Sequence, residues 1–142
     1  MKTVEQLLRL KPAGVVSVPL QASVLDALKV LAERNVGAVL VMDGPHLAGL
    51  FSERDYARKV ALEGRSSIDT PVADVMTRHV HCVTPTDTSD HCMALMTHKR
   101  IRHLPVLHNK HVVGVLSIGD LVKDVISEQQ QTISELERYI HG

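Results

Sequence analysis

Apolar residues recur along this chain in two alternating rhythms, one of strand type and one of helix type. Val15-Val16-Ser17-Val18 is a β-branched run that stops at Pro19 and predicts a short strand. Ser23 then precedes Asp26 by three residues, a capping box, and Leu25, Leu28, Leu31 and Ala32 form an apolar stripe at helical spacing. Ala38 to Met42 is continuously apolar and short enough to be a buried strand. Asp43-Gly44-Pro45 marks a turn, and Leu47 to Phe51 predicts the returning strand. A second helix is expected from Ser52 or Glu53 to about Glu63, closed by the polar linker Gly64-Arg65-Ser66-Ser67.

The same order follows a second time. A helical turn over Val72 to Met76 leads to an expected strand around Val80 to Val83 and a helix from about Thr88 to Lys99. Strands His103 to Leu107 and Val112 to Leu116 flank a turn at Asn109-Lys110, and a last helix starts after Ser117. The repetition is visible in identities as well as in pattern. Gly49, Ser52 and Asp55 return as Gly114, Ser117 and Asp120, each 65 positions on, and the same displacement carries Val15 to Val80, Val18 to Val83, Val41 to Val106 and His46 to His111. A unit of about sixty residues buries little surface alone, so the two are expected to pack sheet against sheet as a pseudo-two-fold pair. The fold class is therefore α/β (α+β), with tandem β-α-β-β-α units over residues 1–66 and 67–142.

Two terminal pieces lie outside the duplication. Thr3 and Gln6 form a capping box for a short helix carrying Leu7, Leu8 and Leu10, assigned with the first unit. Beyond Val122 the chain stays helix-prone through Ile126, Ile133, Leu136 and Ile140 to Gly142. That tail either lies on a neighbouring surface, pairs with another chain, or is solvated.

Composition narrows the function. Of 142 residues 44% are apolar, but the aromatics are Phe51, Tyr56 and Tyr139 alone, so the core is aliphatic and stacking of single-stranded nucleic acid is disfavoured. Sixteen basic residues balance sixteen acidic ones, which removes a long-range field toward nucleic acid or an anionic membrane. Every apolar run is interrupted before it reaches a membrane span, and the N-terminus has no apolar signal core. With Cys82 and Cys92 expected as free thiols, the chain reads as cytoplasmic.

The repeated Gly-apolar-x-Ser-x-x-Asp, once after each second hairpin strand, carries the candidate chemistry. Ser at a helix start sets a hydroxyl beside free backbone N–H groups, which suits a phosphate. Asp one turn on faces the same way and can accept two hydrogen bonds from ribose hydroxyls. The plainer reading of Ser52 with Asp55 and Ser117 with Asp120 is helix capping alone. A β-α-β-β-α unit with this ending, present twice, resembles the CBS domain family over roughly Lys11 to Val125. Phe51-Ser52-Glu53-Arg54-Asp55-Tyr56-Ala57-Arg58-Lys59, Arg100-Ile101-Arg102-His103-Leu104-Pro105-Val106 and Ser117-Ile118-Gly119-Asp120 are similar to stand-alone CBS pairs of bacteria and organelles.

The resemblance implies that Ser52, Asp55, Ser117 and Asp120 contact phosphate and ribose, and that Val16, Val18, Val80 and Val83 receive an adenine. Arg54, Arg58, Arg102 and His103 are the groups able to surround an anion between the units, while Gly37 and Ala38, the counterparts of Arg102 and His103, are not. The ligands implied are adenosine nucleotides, AMP or NAD first, with ATP, ADP or S-adenosylmethionine as alternatives, acting in an energy or redox sensor that regulates an unidentified partner protein. A homodimer is expected, through Tyr56, Val60, Leu121 and Val125.

Three rivals differ in kind. A pure interaction scaffold would bind no ligand. A metal-binding module would use the seven histidines between His79 and His111, yet neither Cys-x-x-Cys nor a helical His-x-x-x-His is present. An enzyme lacks a nucleophile elbow, a P-loop or a dinucleotide fingerprint.

Overall fold

A computed structural model describes residues 1–141; Gly142, the end of the expected tail, lies outside the described residues. The elements are α1 (Val4–Arg9), β1 (Ser17–Pro19), α2 (Val24–Arg34), β2 (Ala38–Asp43), β3 (His46–Ser52), α3 (Glu53–Tyr56), α4 (Ser89–Lys99), β4 (His103–His108), β5 (His111–Ser117) and α5 (Ile118–His141). The chain forms two small sheets, β1-β2-β3 and β4-β5, each flanked by helices, in the mixed α+β architecture anticipated from the repeat.

The repeat extends to irregularities. Both hairpins slip register at the same place, between Val41 and Met42 and between Val106 and Leu107. Asn35 and Arg100, also 65 apart, both end their helices in the left-handed region, at φ 51° and 54°. Thr3, Ser23 and Ser52 cap their helices in the expected capping boxes. The expected helix from Ser52 to Glu63 is α3 followed by one wider π-helical turn over Ala57–Ala61.

The expected strand at Val80 to Val83 does not form; Val83 alone bridges Val106. The cause is two prolines. In the first unit β1 pairs with β2 through Leu40 N–H donating to Val16 O and Leu20 N–H donating to Met42 O. The counterparts of those donors are Pro105 and Pro85, which have no N–H to give. What survives is the central rung, Val83 N–H to Pro105 O and Leu107 N–H to Val83 O.

Each unit has its own core, but each core is completed by a segment from elsewhere in the chain. Val72, Val75 and Met76, which lead into the second unit, are buried with Val24, Val41 and Phe51 of the first. Val4 and Leu7 of α1 lead into the first unit, yet they are buried with Leu104, Val106, Leu116 and Leu121 of the second. The two leading segments are exchanged. Backbone bonds fix both exchanges: Val4 N–H donates to Asp87 O, and Val72 N–H donates to Ala22 O. Lys2 reinforces the first by pairing with the buried Asp124 of α5. Val60 and Leu121 are fully enclosed in these cores, so neither is part of an exposed surface as expected, while Tyr56 and Val125 are half-buried.

Candidate functional site

The Gly-apolar-x-Ser-x-x-Asp segments end β3 and β5, and exchange explains their glycines. A Cβ on Gly49 would lie 2.6 Å from Met76 Sδ and 2.8 Å from the Thr77 carbonyl oxygen, and one on Gly114 would lie 2.7 Å from a Leu8 methyl. The leaders therefore cross the strands at the glycines, just before Ser and Asp. Both Ser–Asp pairs do cap their helices. Asp55 N–H donates to Ser52 Oγ at 3.2 Å and Asp120 N–H to Ser117 Oγ at 3.2 Å, while Ser52 and Ser117 N–H groups donate back to Oδ2 of Asp55 and Asp120.

Beyond that shared frame the two aspartates differ. Asp55 is buried, and both its oxygens are engaged. The Ser52 hydroxyl donates to Oδ2, the Thr77 hydroxyl donates to Oδ1 at 3.1 Å, and the Lys59 ammonium stands 3.1 Å from Oδ1. Asp120 is held by Lys11, whose ammonium donates to Oδ2 at 2.8 Å and to the Val115 carbonyl at 2.6 Å. Every bond to this carboxylate among the described residues ends on Oδ2, which leaves Oδ1 as acceptor for an incoming donor. Burial works to raise the Asp120 carboxyl, but the Lys11 ammonium and the Ser117 groups outweigh it and hold the carboxyl below its ordinary range.

Asp120 and Ser117 open on a cleft of about 550 Å³. Its opposite wall belongs to the first unit: Val16, Gly37 and Ala38. Lys11 and His103 supply polar groups. A second cleft, about 780 Å³, reverses the arrangement, with Ser52 and Asp55 of the first unit facing Val80, His79 and His81 of the second. Arg54, Arg58, Arg100 and Arg102 all line it. Arg54 reaches across the units, donating to the Arg100 carbonyl at 3.1 Å, an oxygen turned toward it by the left-handed backbone of Arg100. His103 borders both clefts. Burial lowers its pKa, with Lys11 adding to the effect, which favours the neutral imidazole.

The sequence-predicted residues thus divide between two cross-unit clefts. Ser117, Asp120, His103 and Val16 meet in the first; Ser52, Asp55, Arg54, Arg58, Arg102, His103 and Val80 meet in the second. Val18 and Val83 line neither, being buried in the two cores. Each Ser–Asp pair lies opposite the other unit's first strand segment, Ser117 and Asp120 sharing a cleft with Val16, and Ser52 and Asp55 sharing one with Val80. Lys11, Thr77, Lys59 and Arg100 were missed. Lys11 and Thr77 carry no local signal, because their partners lie 109 and 22 residues away and only the exchange brings them close. Among the described residues no group of three or more His, Cys, Asp or Glu side chains is arranged to hold a metal ion, and the His79 and His81 rings pack edge to face at 5.3 Å. No helix among them is long and apolar enough to cross a membrane.

Comparison with known proteins gives a consistent picture. The CBS domain family model matches twice, at residues 11–62 and 72–127. A mitochondrial CBS domain-containing protein of Arabidopsis thaliana, CBSX3, is 42% identical over 125 residues; the match covers 84% of this chain and 61% of that protein. The structure of a CBS-domain protein from Burkholderia ambifaria superposes with a TM-score of 0.87 at 50% identity, over 90% of this chain and 96% of that one. A CBS domain protein from Pyrobaculum aerophilum, solved in complex with AMP, superposes with a TM-score of 0.75 at 29% identity, covering 84% of this chain and 89% of that one.

Proposed function

The chain belongs to the CBS-domain family, carrying two such domains in tandem, and from that premise we propose that it is a regulatory module binding an adenosine nucleotide between its units. The observation that carries the proposal is the free Oδ1 of Asp120, poised over a cleft whose far wall is apolar and whose lining includes Lys11 and Arg34. In this reading the ribose diol donates to Asp120. The adenine lies against Val16, Gly37 and Ala38. The phosphate meets Ser117 Oγ, His103 and a Lys11 released from its carboxylate. A volume of about 550 Å³ is within the range of small-ligand sites. The AMP complex of the Pyrobaculum relative supports AMP as first choice, with NAD, ADP, ATP and S-adenosylmethionine as competitors.

The second cleft suits a phosphate-rich group, since four arginines line it while Asp55 is already saturated by its own neighbours. Occupancy of either cleft bridges both units and alters their packing, which is how the signal would pass to a partner protein without catalysis. Two free thiols, one of them buried, fit the reducing cytoplasm that we propose as its compartment.

Calorimetric titration with AMP, ADP, ATP, NAD and S-adenosylmethionine is the test. AMP is expected to bind, and Asp120→Ala to weaken it about tenfold to a hundredfold through the lost hydrogen bonds to a charged acceptor. Unchanged affinity in Asp120→Ala would move the nucleotide out of the first cleft. Absence of heat with all five would favour a ligand-free interaction scaffold.

A further inference from the structure

The duplication shows which groups around Asp120 have no equivalent around Asp55. Asp55 Oδ1 receives the Thr77 hydroxyl and stands against the Lys59 ammonium. The counterparts of those two residues at the 65-residue displacement are Pro12 and Asp124. Pro12 has no hydroxyl to offer, and Asp124 pairs with Lys2 instead. Asp120 Oδ1 is left open for that reason. The cation at Asp120 comes from a different place, Lys11, whose own counterpart is Met76, an uncharged side chain lying over Gly49. Exchange of the leaders thus sets an ammonium on one carboxylate and a thioether at the equivalent point of the other unit.

Lys11 also closes part of what it touches. A carboxylate oxygen has two lone pairs. Asp120 Oδ2 already accepts from Ser117 N–H at 2.8 Å and from the Lys11 ammonium at 2.8 Å. A ribose diol donates from two neighbouring hydroxyls and uses both carboxylate oxygens. Oδ1 is ready for the first, but the second reaches Oδ2 only when Lys11 withdraws. Withdrawal costs the ammonium two bonds, to Oδ2 and to the Val115 carbonyl, and strips a half-buried carboxylate of its cation. An anion on the ligand offsets that loss, because it takes the ammonium over. The segment that follows Lys11 can yield: Pro12, Ala13 and Gly14 are exposed along the cleft, and a Cβ on Gly14 would meet nothing within 4 Å.

We propose that Lys11 is a gate that makes the first cleft select nucleotides by the anion they carry. With AMP the ammonium passes from Asp120 to the phosphate, and the diol takes both carboxylate oxygens. Adenosine has the same base and diol but offers the ammonium no new partner, so it meets a half-closed carboxylate. S-adenosylmethionine brings a sulfonium toward Lys11 and Arg34 and is disfavoured further. The gate rests on the reading of the first cleft as a nucleotide site and adds what that site refuses.

Calorimetric titration of AMP and adenosine into the parent, Lys11→Met, Lys11→Arg and Asp120→Ala, with circular dichroism on every variant, tests this. The parent is expected to prefer AMP by on the order of a hundredfold. Lys11→Met is expected to bind AMP about tenfold more weakly and adenosine about threefold to tenfold more tightly, so that the preference nearly vanishes. A simple phosphate contact would move AMP alone, whereas a gate moves the two ligands in opposite directions. Lys11→Arg keeps the cation and is expected to keep the preference. A parent that binds adenosine as tightly as AMP overturns the gate without any variant. So does a folded Lys11→Met protein that loses AMP with no gain in adenosine, and the nucleotide site stands if AMP still depends on Asp120. AMP binding indifferent to Asp120→Ala overturns the site and the gate together.

Discussion

Replacing Gly49 by alanine probes the leader exchange more directly than any change in the clefts. The added methyl would sit 2.8 Å from the Thr77 carbonyl oxygen and 2.6 Å from Met76 Sδ, both inside van der Waals contact. Met76 is flexible and can yield in part. The carbonyl cannot, because Leu50 and Thr77 exchange both backbone bonds, at 2.9 and 2.8 Å. Overpacking of this kind costs about 1–3 kcal/mol. Alanine returns about 0.4–1 kcal/mol by restricting the unfolded chain, so the net loss for Gly49→Ala is about 1–2 kcal/mol. At this chain length that lowers Tm by roughly 2–8 °C. Gly114→Ala is the internal control. Its methyl meets only the ends of the Leu8 side chain, which can rotate away, so the loss should be under about 1 kcal/mol and should vanish in Leu8→Ala/Gly114→Ala. Urea denaturation of the parent, the single variants Gly49→Ala, Gly114→Ala and Leu8→Ala, and the double variant, read as midpoint shifts at constant slope, gives the comparison. Gly49→Ala as stable as the parent, or less harmful than Gly114→Ala, would refute the close crossing of strand and leader.

Other outcomes follow from the same geometry. Because Asp120 has a lowered pKa in the fold, the stability it contributes is complete above the ordinary carboxylate value of about 3.9 and is lost as pH falls through the lowered folded value. Lys11→Met should therefore be less stable than the parent at neutral pH, with the gap in urea midpoints narrowing in acid; a gap independent of pH would assign Lys11 a packing role only. Arg58→Gln/Arg102→Gln should weaken ATP more than AMP in calorimetric titration, since both arginines line the second cleft and neither the first; equal losses would refute separate roles for the clefts. Cys92 is fully buried, and burial together with Asp87 pushes its thiol up to about 11, so at pH 8 a thiol reagent should modify Cys82 first and Cys92 only on unfolding. Mass spectrometry of the singly labelled protein reads this directly, and early labelling of Cys92 would contradict its place in the core.

Local order was legible in the sequence. The three capping boxes, both hairpins and the helices from Val24 and Ser89 follow from neighbours within a few residues, and the 65-residue displacement exposed the duplication. The exchange was not legible. Leu7 and Val72 look alike as apolar residues before a strand, and nothing near them says which unit they cover. With the exchange hidden, the pairing of each Ser–Asp with the other unit's first strand segment was not visible, and Lys11 passed unnoticed. The missing strand near Val83 was legible in principle: superposing the repeats shows Pro85 and Pro105 where the first unit has the donors Leu20 and Leu40.

The crossed leaders also bear on how such a chain comes to exist. A lone unit carrying its own leader would have an open core and a cover that fits another molecule. Two such molecules would close each other by trading leaders, and their survival would depend on concentration. Joining two copies end to end turns that encounter into a step within one molecule, at an effective concentration set by the short linker rather than by the cell. Once fused, the halves no longer need to match, so one can lose a strand to Pro85 and Pro105 and gather arginines beside the other's Asp55 while the pair still closes.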